Sequence, residues 1–379
     1  MSQSVLIVAG EASGDLYGAD LAHQLRARLP DVALYGVGGA RMQAAGVQLI
    51  ADSRAWGAIG VVESLKVAPK VYLAYRRVQR FIRRHPPDLF VPIDFGAFNI
   101  PLSCGASAQG VSVAYYIPPG SWRRERQGSD LPRCTHQVLT PFAWSAEQLQ
   151  SMGATARWMP HPLLRLARPS EDKPTFCERL GLDPYRPIVA LLPGSRRHEA
   201  KALTSLYARV AESVYTVAPE VQFALSVAPH FTADWLHSLW AEGSRQWVPT
   251  ETRSVWNLLA HADAAIVCSG TATLEAALLN TPMLIVYRGD WLMNAEYKLR
   301  KRRLNLRWIG LPNLILQREA CPEFIQEAAS PNALARELLA LLHNDANRRA
   351  QREAVPEIGG GVGEREGLRE GYEWLGGHG

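Results

Sequence analysis

The sequence predicts an α/β fold: two Rossmann-like domains, each a parallel sheet flanked by helices, with the two sheets facing a cleft. Three observations predict it. Short β-branched runs bounded by Gly, Pro or Asp alternate with longer helical patterns, the signature of βαβ units. The alternation pauses over a proline-rich stretch and then resumes. The 379 residues are comfortable for two domains, and 47% hydrophobic with 20% charged residues supplies full cores. That composition excludes a disordered tail protein and a disulfide-stapled mini-domain.

In the first half the strand candidates are Ser4–Gly10, Val32–Gly38, Asp88–Asp94, Val111–Ile117 and His136–Pro141, with helical patterns such as Gly14–Leu29 and Lys70–Arg84 between them. Pro169, Pro174, Pro184 and Pro187 mark residues 166–187 as a linker, with a short helix around Thr175–Leu180. The second series is Ile188–Pro193, Val221–Ala228, Trp247–Pro249, Ala264–Cys268 and Pro282–Tyr287. The expected division is therefore an N-terminal domain over 1–165, a linker over 166–187 and a C-terminal domain over 188–345. A terminal segment, 346–379, is expected to pack a helix back on the first domain before a glycine-rich tail in which Leu368–Leu375 can form a docking helix.

Charge and cysteine usage narrow the class. The 41 basic and 36 acidic residues give a net +5, too small to argue for nucleic acid. Prolines and glycines break the longest uncharged stretch, Phe95–Trp122, so no membrane span is expected, and the N-terminus lacks a signal-peptide pattern. Cys104, Cys134, Cys177, Cys268 and Cys321 are scattered without a CxxC, which predicts neither a disulfide framework nor a zinc site and fits a reduced, cytoplasmic setting. The basic residues are unevenly spread. Seven Lys/Arg and no acid lie between Ser64 and Pro87, where Val67, Val71, Tyr75, Val78 and Ile82 form one helical stripe and Lys66, Lys70, Arg77, Arg80 and Arg84 the opposite face, with Pro69 in the first turn. Such a helix either covers a sheet with a solvated basic face or lies on an anionic membrane. Lys298–Arg307 adds six basic residues in ten.

Two strand-to-helix turns in the second half could hold an anion. In Leu191-Leu-Pro-Gly-Ser-Arg-Arg-His-Glu199, Gly194 permits a tight turn, Ser195 can cap the helix, and Arg196 sits beside its free N–H groups. In Cys268-Ser-Gly-Thr-Ala-Thr-Leu-Glu275, small side chains at a helix start let a diphosphate approach the backbone, and Glu275 could accept the hydroxyls of a ribose. Each is also readable as an ordinary capped turn; the pair points to a nucleoside diphosphate. Walker A and GxGxxG are absent. In the first half, Glu11, Ser13 and Asp15 of the Gly10–Asp15 turn are expected to face the cleft. Asp94 ends a buried strand and is either a general base or a helix cap. His161, between Pro160 and Pro162, reads as a hinge residue or a weaker site candidate.

Taken together these segments resemble the lipid-A-disaccharide synthase family of glycosyltransferases. The resemblance rests on Gly10-Glu-Ala-Ser-Gly-Asp15, Gly60-Val-Val-Glu63, Ile93-Asp94 with Phe98-Asn99, and Tyr115-Tyr-Ile117 with Pro119 and Trp122. It continues through His161-Pro162, Leu192-Pro-Gly-Ser-Arg196 with Glu199, Ser269–Glu275, Leu311-Pro-Asn-Leu-Ile315 and Pro322-Glu-Phe-Ile-Gln326. It implies a GT-B fold and an inverting transfer, without metal or other cofactor, of 2,3-diacylglucosamine from its UDP-sugar to 2,3-diacylglucosamine 1-phosphate. The products are the β-1,6 disaccharide and UDP. Asp94 would be the base; Gly194, Ser195, Arg196, Ser269, Gly270, Thr271, Glu275 and Asn313 would bind the nucleotide. Glu11, Ser13, Gly14, Asp15, Asn99, Trp122 and His161 would line the acceptor side. It further implies a cytoplasmic enzyme, peripheral to the inner membrane face through segments 64–87 and 297–307, with no nucleic-acid partner and with homo-oligomerisation left open.

The departures cluster on the acceptor side. Gly96 stands where the family has proline, Pro118-Pro-Gly-Ser-Trp-Arg-Arg124 replaces a Ser-Pro-Ser-x-Trp-Ala-Trp run, and Pro141-Phe-Ala143 replaces Pro-Phe-Glu. They keep two other readings beside the first: a paralogous UDP-sugar transferase with another acceptor, and a non-catalytic nucleotide-binding protein at a membrane surface. A UDP-sugar 2-epimerase on the same fold is a further option.

Overall fold

A computed structural model describes residues 3–54, 56, 61–121, 130–240, 248–289 and 307–363, with the backbone alone for 61–67. The chain forms two compact units, Met1–Leu164 with Gly361–Gly379, and Arg165–Gly360.

The first unit is built on seven parallel strands: β1 (Ser4–Ala9), β2 (Ala33–Gly38), β3 (Gln48–Asp52), β4 (Leu89–Ile93), β5 (Ser112–Tyr116), β6 (Gln137–Thr140) and β7 (Ala156–Trp158), in the order 3-2-1-4-5-6-7. The central strands β1, β4 and β5 are buried throughout or along all but their first residue, which is why they read as continuous apolar runs. β3 and β7 are edge strands with exposed positions, and the sequence pattern did not separate them from loops. The helices are α1 (Ala12–Arg28), α2 (Ala40–Ala44), α3 (Val61–Arg84), α4 (Gly96–Ser107), α5 (Leu131–Cys134), α6 (Ala143–Ser151) and α7 (Leu163–Leu166), the last crossing into the second unit.

α3 buries Ala74, Val78 and Ile82 against the sheet and half-buries Val71 and Tyr75, while Lys70, Arg76, Arg77, Arg80, Arg83 and Arg84 are exposed. The helix begins eight residues before Pro69 rather than at it, so the proline lies inside and costs a backbone hydrogen bond. Tyr72 and Leu73 stand exposed near its middle, and the side chains of Lys66 and Val67 lie outside the described residues. The expectation of no disulfide is corrected: Cys104 on α4 is joined to Cys134 on α5. Thirty residues separate them, and they meet only because α4 and α5 pack together. Among the described residues the other three cysteines are buried and free.

The second unit carries β8 (Ile188–Leu192), β9 (Gln222–Ser226), β10 (Thr250–Glu251), β11 (Ala264–Cys268), β12 (Met283–Tyr287) and β13 (Glu323–Ile325), all parallel, in the order 10-9-8-11-12-13. Its helices are α8 (Lys173–Leu180), α9 (Arg197–Val217), α10 (Ala233–Ser238), α11 (Val255–His261), α12 (Thr271–Leu278), α13 (Leu311–Leu316), α14 (Pro331–His343), α15 (Asp345–Glu353) and α16 (Val355–Gly361). α9 and α14 close one face of the sheet over a core that includes Leu203, Tyr207, Val210, Phe223 and Leu338.

Residues 166–187, read as a linker, are folded onto this unit. Arg179 on α8 pairs with Glu171 at 2.7 Å and with the buried Glu251 at 2.6 Å. Asn257 Oδ1 accepts from the Ser170 N–H at 2.7 Å. After α16 the chain rejoins the first unit, where the His161 N–H donates to the Val362 carbonyl at 2.7 Å. Leu368–Leu375 lies outside the described residues.

Candidate active site

Both sheets reverse their strand order beside their first strand, between β1 and β4 and between β8 and β11. In an open parallel sheet the crevice beyond the strand ends at such a point is where ligands bind. Most of the sequence-predicted groups lie on the turns leaving these four strands or in the helices that follow them; His161 and Asn313 do not, and Trp122 lies outside the described residues.

In the first unit Ala9 and Ile93 are paired, so the turns after β1 and β4 start level. Asp94 and Phe95 follow β4 with φ of 43° and 48°, two consecutive non-glycine residues in the left-handed region. Each costs about 1–3 kcal/mol and persists only where the surroundings over-determine it. They do here. The Asp94 carbonyl accepts from Tyr115 Oη at 2.7 Å and from Asn99 Nδ2 at 3.0 Å, and the Asp94 N–H donates to the Ile117 carbonyl at 3.1 Å. The Phe95 ring lies over Gly10, where a Cβ would come within 2.3 Å of it. Asp94 itself is half-buried. Burial, reinforced by the Asp94 charge, drives the Tyr115 phenol well above its usual range, so it stays a donor.

The remaining first-unit candidates divide. Glu11 and Ser13 are half-exposed at the start of α1. Gly14 is buried, and a Cβ there would lie 3.1 Å from Ala9 Cβ; the glycine lets α1 approach the sheet. Asp15, expected to face the cleft, is buried instead. Its carboxylate accepts from the N–H groups of Gly39 at 2.6 Å, Arg41 at 3.1 Å and Met42 at 3.1 Å, which caps the start of α2. Asn99, expected on the acceptor side, is fully buried, and its amide also donates to the carbonyls of Val8 and Ile93. It positions Asp94. His161 is likewise a core residue: its ring stacks edge-on against Tyr17 and Nδ1 accepts from the Leu163 N–H at 3.2 Å. Burial holds its pKa down to about 3. Trp122 lies outside the described residues, as do positions 123 and 124. Gly96 packs on Pro119, whose ring would lie 2.7 Å from a Cβ there.

In the second unit Leu192 and Val267 are paired, so the two glycine turns leave adjacent strands almost level. Gly194 has φ 97°, and a Cβ there would lie 2.8 Å from Glu199 Oε2 and 3.0 Å from Cys268 Sγ, so only glycine fits. Arg196, not Ser195, takes the N-cap position of α9. Its N–H donates to Glu199 Oε2 and its guanidinium to Glu199 Oε1, both at 3.3 Å. Glu199 is buried, whereas Ser195 and Arg196 are exposed. Burial together with Glu199 pushes the Cys268 thiol far up, which keeps it protonated.

In the neighbouring turn Ser269 Oγ donates to the Ile309 carbonyl at 2.9 Å, and Gly270 is exposed with φ 150° and open space where a Cβ would stand. Thr271 opens α12. Glu275 lies in the second turn of α12, half-exposed, and its Oε1 accepts from Trp256 Nε1 at 3.0 Å. Trp256, 19 residues away on α11, gave no signal in the sequence. Asn313 is fully buried: Oδ1 accepts from the N–H groups of Ala320 and Cys321, and Nδ2 donates to the Cys321 carbonyl and to Glu323. Its side chain is committed to these partners and holds the turn at Ile309–Leu311, where Glu323 also accepts from the N–H groups of Ile309 and Gly310. Burial raises the Glu323 carboxyl against those donors.

A family model described as lipid-A-disaccharide synthetase matches residues 5–365. The chain is 34% identical over 366 residues to the lipid-A-disaccharide synthase of Trichlorobacter lovleyi, covering 95% of this chain and 94% of that protein. To the enzyme of the same name from Coxiella burnetii (strain Dugway 5J108-111) it is 32% identical over 354 residues, covering 92% and 91%. Among solved structures, the S. aureus MnaA–UDP co-structure aligns with a TM-score of 0.66 at 11% identity, covering 99% of this chain and 97% of that one. The glycotransferase of kitacinnamycin aligns with a TM-score of 0.58 at 14% identity, covering 100% and 99%. These structural likenesses establish the fold, GT-B, and the sequence matches the lineage. The chain belongs to the lipid-A-disaccharide synthetase family, glycosyltransferases of lipid A biosynthesis.

Proposed function

We propose that the chain is an inverting glycosyltransferase that moves 2,3-diacylglucosamine from UDP-2,3-diacylglucosamine to 2,3-diacylglucosamine 1-phosphate. The observation that carries the nucleotide half is the pair of level turns, Gly194–Arg196 and Ser269–Thr271, on adjacent strands β8 and β11. Backbone N–H groups at the starts of α9 and α12, with the exposed Arg196 guanidinium, suit a diphosphate. Glu275, oriented by Trp256, is the acceptor of the ribose hydroxyls. Asp94 takes the proton of the acceptor hydroxyl as its oxygen bonds to the sugar C1, and the C1–phosphate oxygen bond breaks with its electron pair leaving on UDP. The helix starts and Arg196 neutralise that departing charge, which is the electrostatic task a metal performs elsewhere. On this reading the protein works at the cytoplasmic membrane surface, with the exposed arginines of α3 facing anionic head groups.

The decisive experiment supplies both diacylated substrates in anionic and in zwitterionic vesicles and follows UDP release and the β-1,6 disaccharide. Turnover that survives a chelator and is faster on anionic vesicles is expected. Asp94→Asn should lower turnover by at least about a hundredfold while UDP affinity stays within about twofold. Near-normal turnover of Asp94→Asn would remove it as the base, and UDP release without a disaccharide would point to another acceptor.

A further inference from the structure

Next to the Gly194 turn lies a group that the nucleotide reading does not use. β9 is paired with β8 on the side away from β11, Leu225 opposite Leu191, and the loop leaving β9 carries His230. His230 Nε2 lies 2.6 Å from the carbonyl oxygen of Ser195, 35 residues earlier. A carbonyl can only accept, so Nε2 carries the proton. The same peptide group is held at its other end, because the Arg196 N–H donates to the buried Glu199. The plane of the Ser195–Arg196 peptide is thus fixed by side chains from two different elements, one on either side of it.

The loop that carries His230 is itself anchored. The His230 ring packs on Phe231 with centroids 4.2 Å apart, and Phe231 on Trp235 of α10 at 4.6 Å. Phe231 and Trp235 rest on the second unit's core. The Arg197 guanidinium in turn lies over the Trp235 ring at 4.5 Å. Three neighbouring residues of the turn, Ser195, Arg196 and Arg197, are therefore oriented from outside it, and two of them from the β9 side.

We propose that His230 is a positioning residue for a nucleoside diphosphate: by donating to the Ser195 carbonyl it holds the Gly194–Arg197 turn in the form that receives the phosphates. This rests on the UDP-sugar reading above. Half-burial lowers the imidazole pKa below its ordinary value, so at neutral pH the ring is neutral and acts through its N–H rather than through charge.

The test compares wild type, His230→Ala and His230→Gln, the glutamine amide reaching where Nε2 stands. UDP affinity is measured by calorimetry, steady-state kinetics are run on the UDP-sugar, and amide exchange over residues 192–198 is followed without nucleotide. His230→Ala should weaken UDP binding and raise KM by about three- to tenfold, the worth of one ordered hydrogen bond, with kcat changed less than about twofold. His230→Gln should recover affinity to within about twofold, and exchange at Arg196 should quicken in His230→Ala alone. Wild-type affinity in His230→Ala, or a glutamine variant as weak as the alanine one, overturns the proposal. A wild type that binds no UDP removes the nucleotide reading instead; exchange at Arg196 unchanged by His230→Ala then overturns the positioning role as well.

Discussion

Asp94 directly follows β4, and Asp15 lies in the first turn of α1, just past the neighbouring β1, yet their surroundings assign them opposite work. Asp94 is held through its backbone, by Tyr115, Asn99 and Ile117. Asp15 spends its carboxylate on three N–H groups at the start of α2. Asp15→Ala should therefore cost stability, about 1–3 kcal/mol, with activity lost only in proportion to folded protein. Chemical denaturation alongside specific activity checks this; an unchanged midpoint with abolished turnover would return Asp15 to the active site. His161 gives a prediction in pH. Its folded pKa, about 3, is below the unfolded value of 6.5, because burial disfavours the imidazolium. The neutral ring's contribution is thus fully present above about pH 6.5 and is lost as pH falls toward 3, at about 1.4 kcal/mol per unit. Melting temperatures between pH 7 and 4 should fall less steeply in His161→Asn, which keeps an acceptor for Leu163 without a titrating group; parallel curves would contradict it. What the sequence could and could not say divides here as well. Residue types at strand ends were readable, as Asp94, Gly194 and Gly270 illustrate. Which backbone groups Asp15, Asn99 and Asn313 would satisfy was not, because their partners are fixed by packing. Trp256 and His230 escaped for the same reason, their partners lying 19 and 35 residues away.

Elements show the same division between local and packed information. The apolar runs of β1, β4, β8 and β11 and the stripe of α3 are written in the sequence, since each reflects burial of one face or of a whole strand. Pro69 misled because a proline marks the first turn only when nothing before it is helical; α3 starts at Val61. The disulfide was illegible, since no local spacing brings Cys104 to Cys134. It closes a loop of about 30 residues, so it should stabilise the first unit by about 3 kcal/mol. Dithiothreitol, or the double substitution Cys104→Ser with Cys134→Ser, should lower the melting temperature by roughly 5–10 °C. If alkylation of the unreduced, denatured chain labels all five cysteines, the bond is absent in solution. The position of the link gives this a functional side: α4 also carries Asn99, the residue that fixes the Asp94 backbone. Reduction should consequently disturb turnover more than UDP affinity.

At the scale of the molecule, each unit presents turns carrying candidate groups at the point where its own sheet reverses strand order; the alternation that makes both units parallel α/β was legible in the sequence, the strand order was not. The stretch over the pause in the βαβ pattern, read as a linker, is folded onto the second unit through Arg179, Glu171 and Glu251. The division predicts how ligands act on the folded chain. The turns that suit a nucleotide, at 194–196 and 269–271, belong wholly to the second unit, while Asp94, Glu11 and Ser13 belong to the first. UDP at about a hundred times its dissociation constant should stabilise the state that binds it by about 2.7 kcal/mol. That protection should appear in amide exchange at 193–198 and 269–276, with residues 10–15 and 94–99 unchanged by UDP alone. The first unit's turns should become protected only when the lipid acceptor is added. Equal protection of both sets by UDP alone would mean that the first unit takes part in holding the nucleotide, and the assignment of its turn residues to the acceptor side would fall.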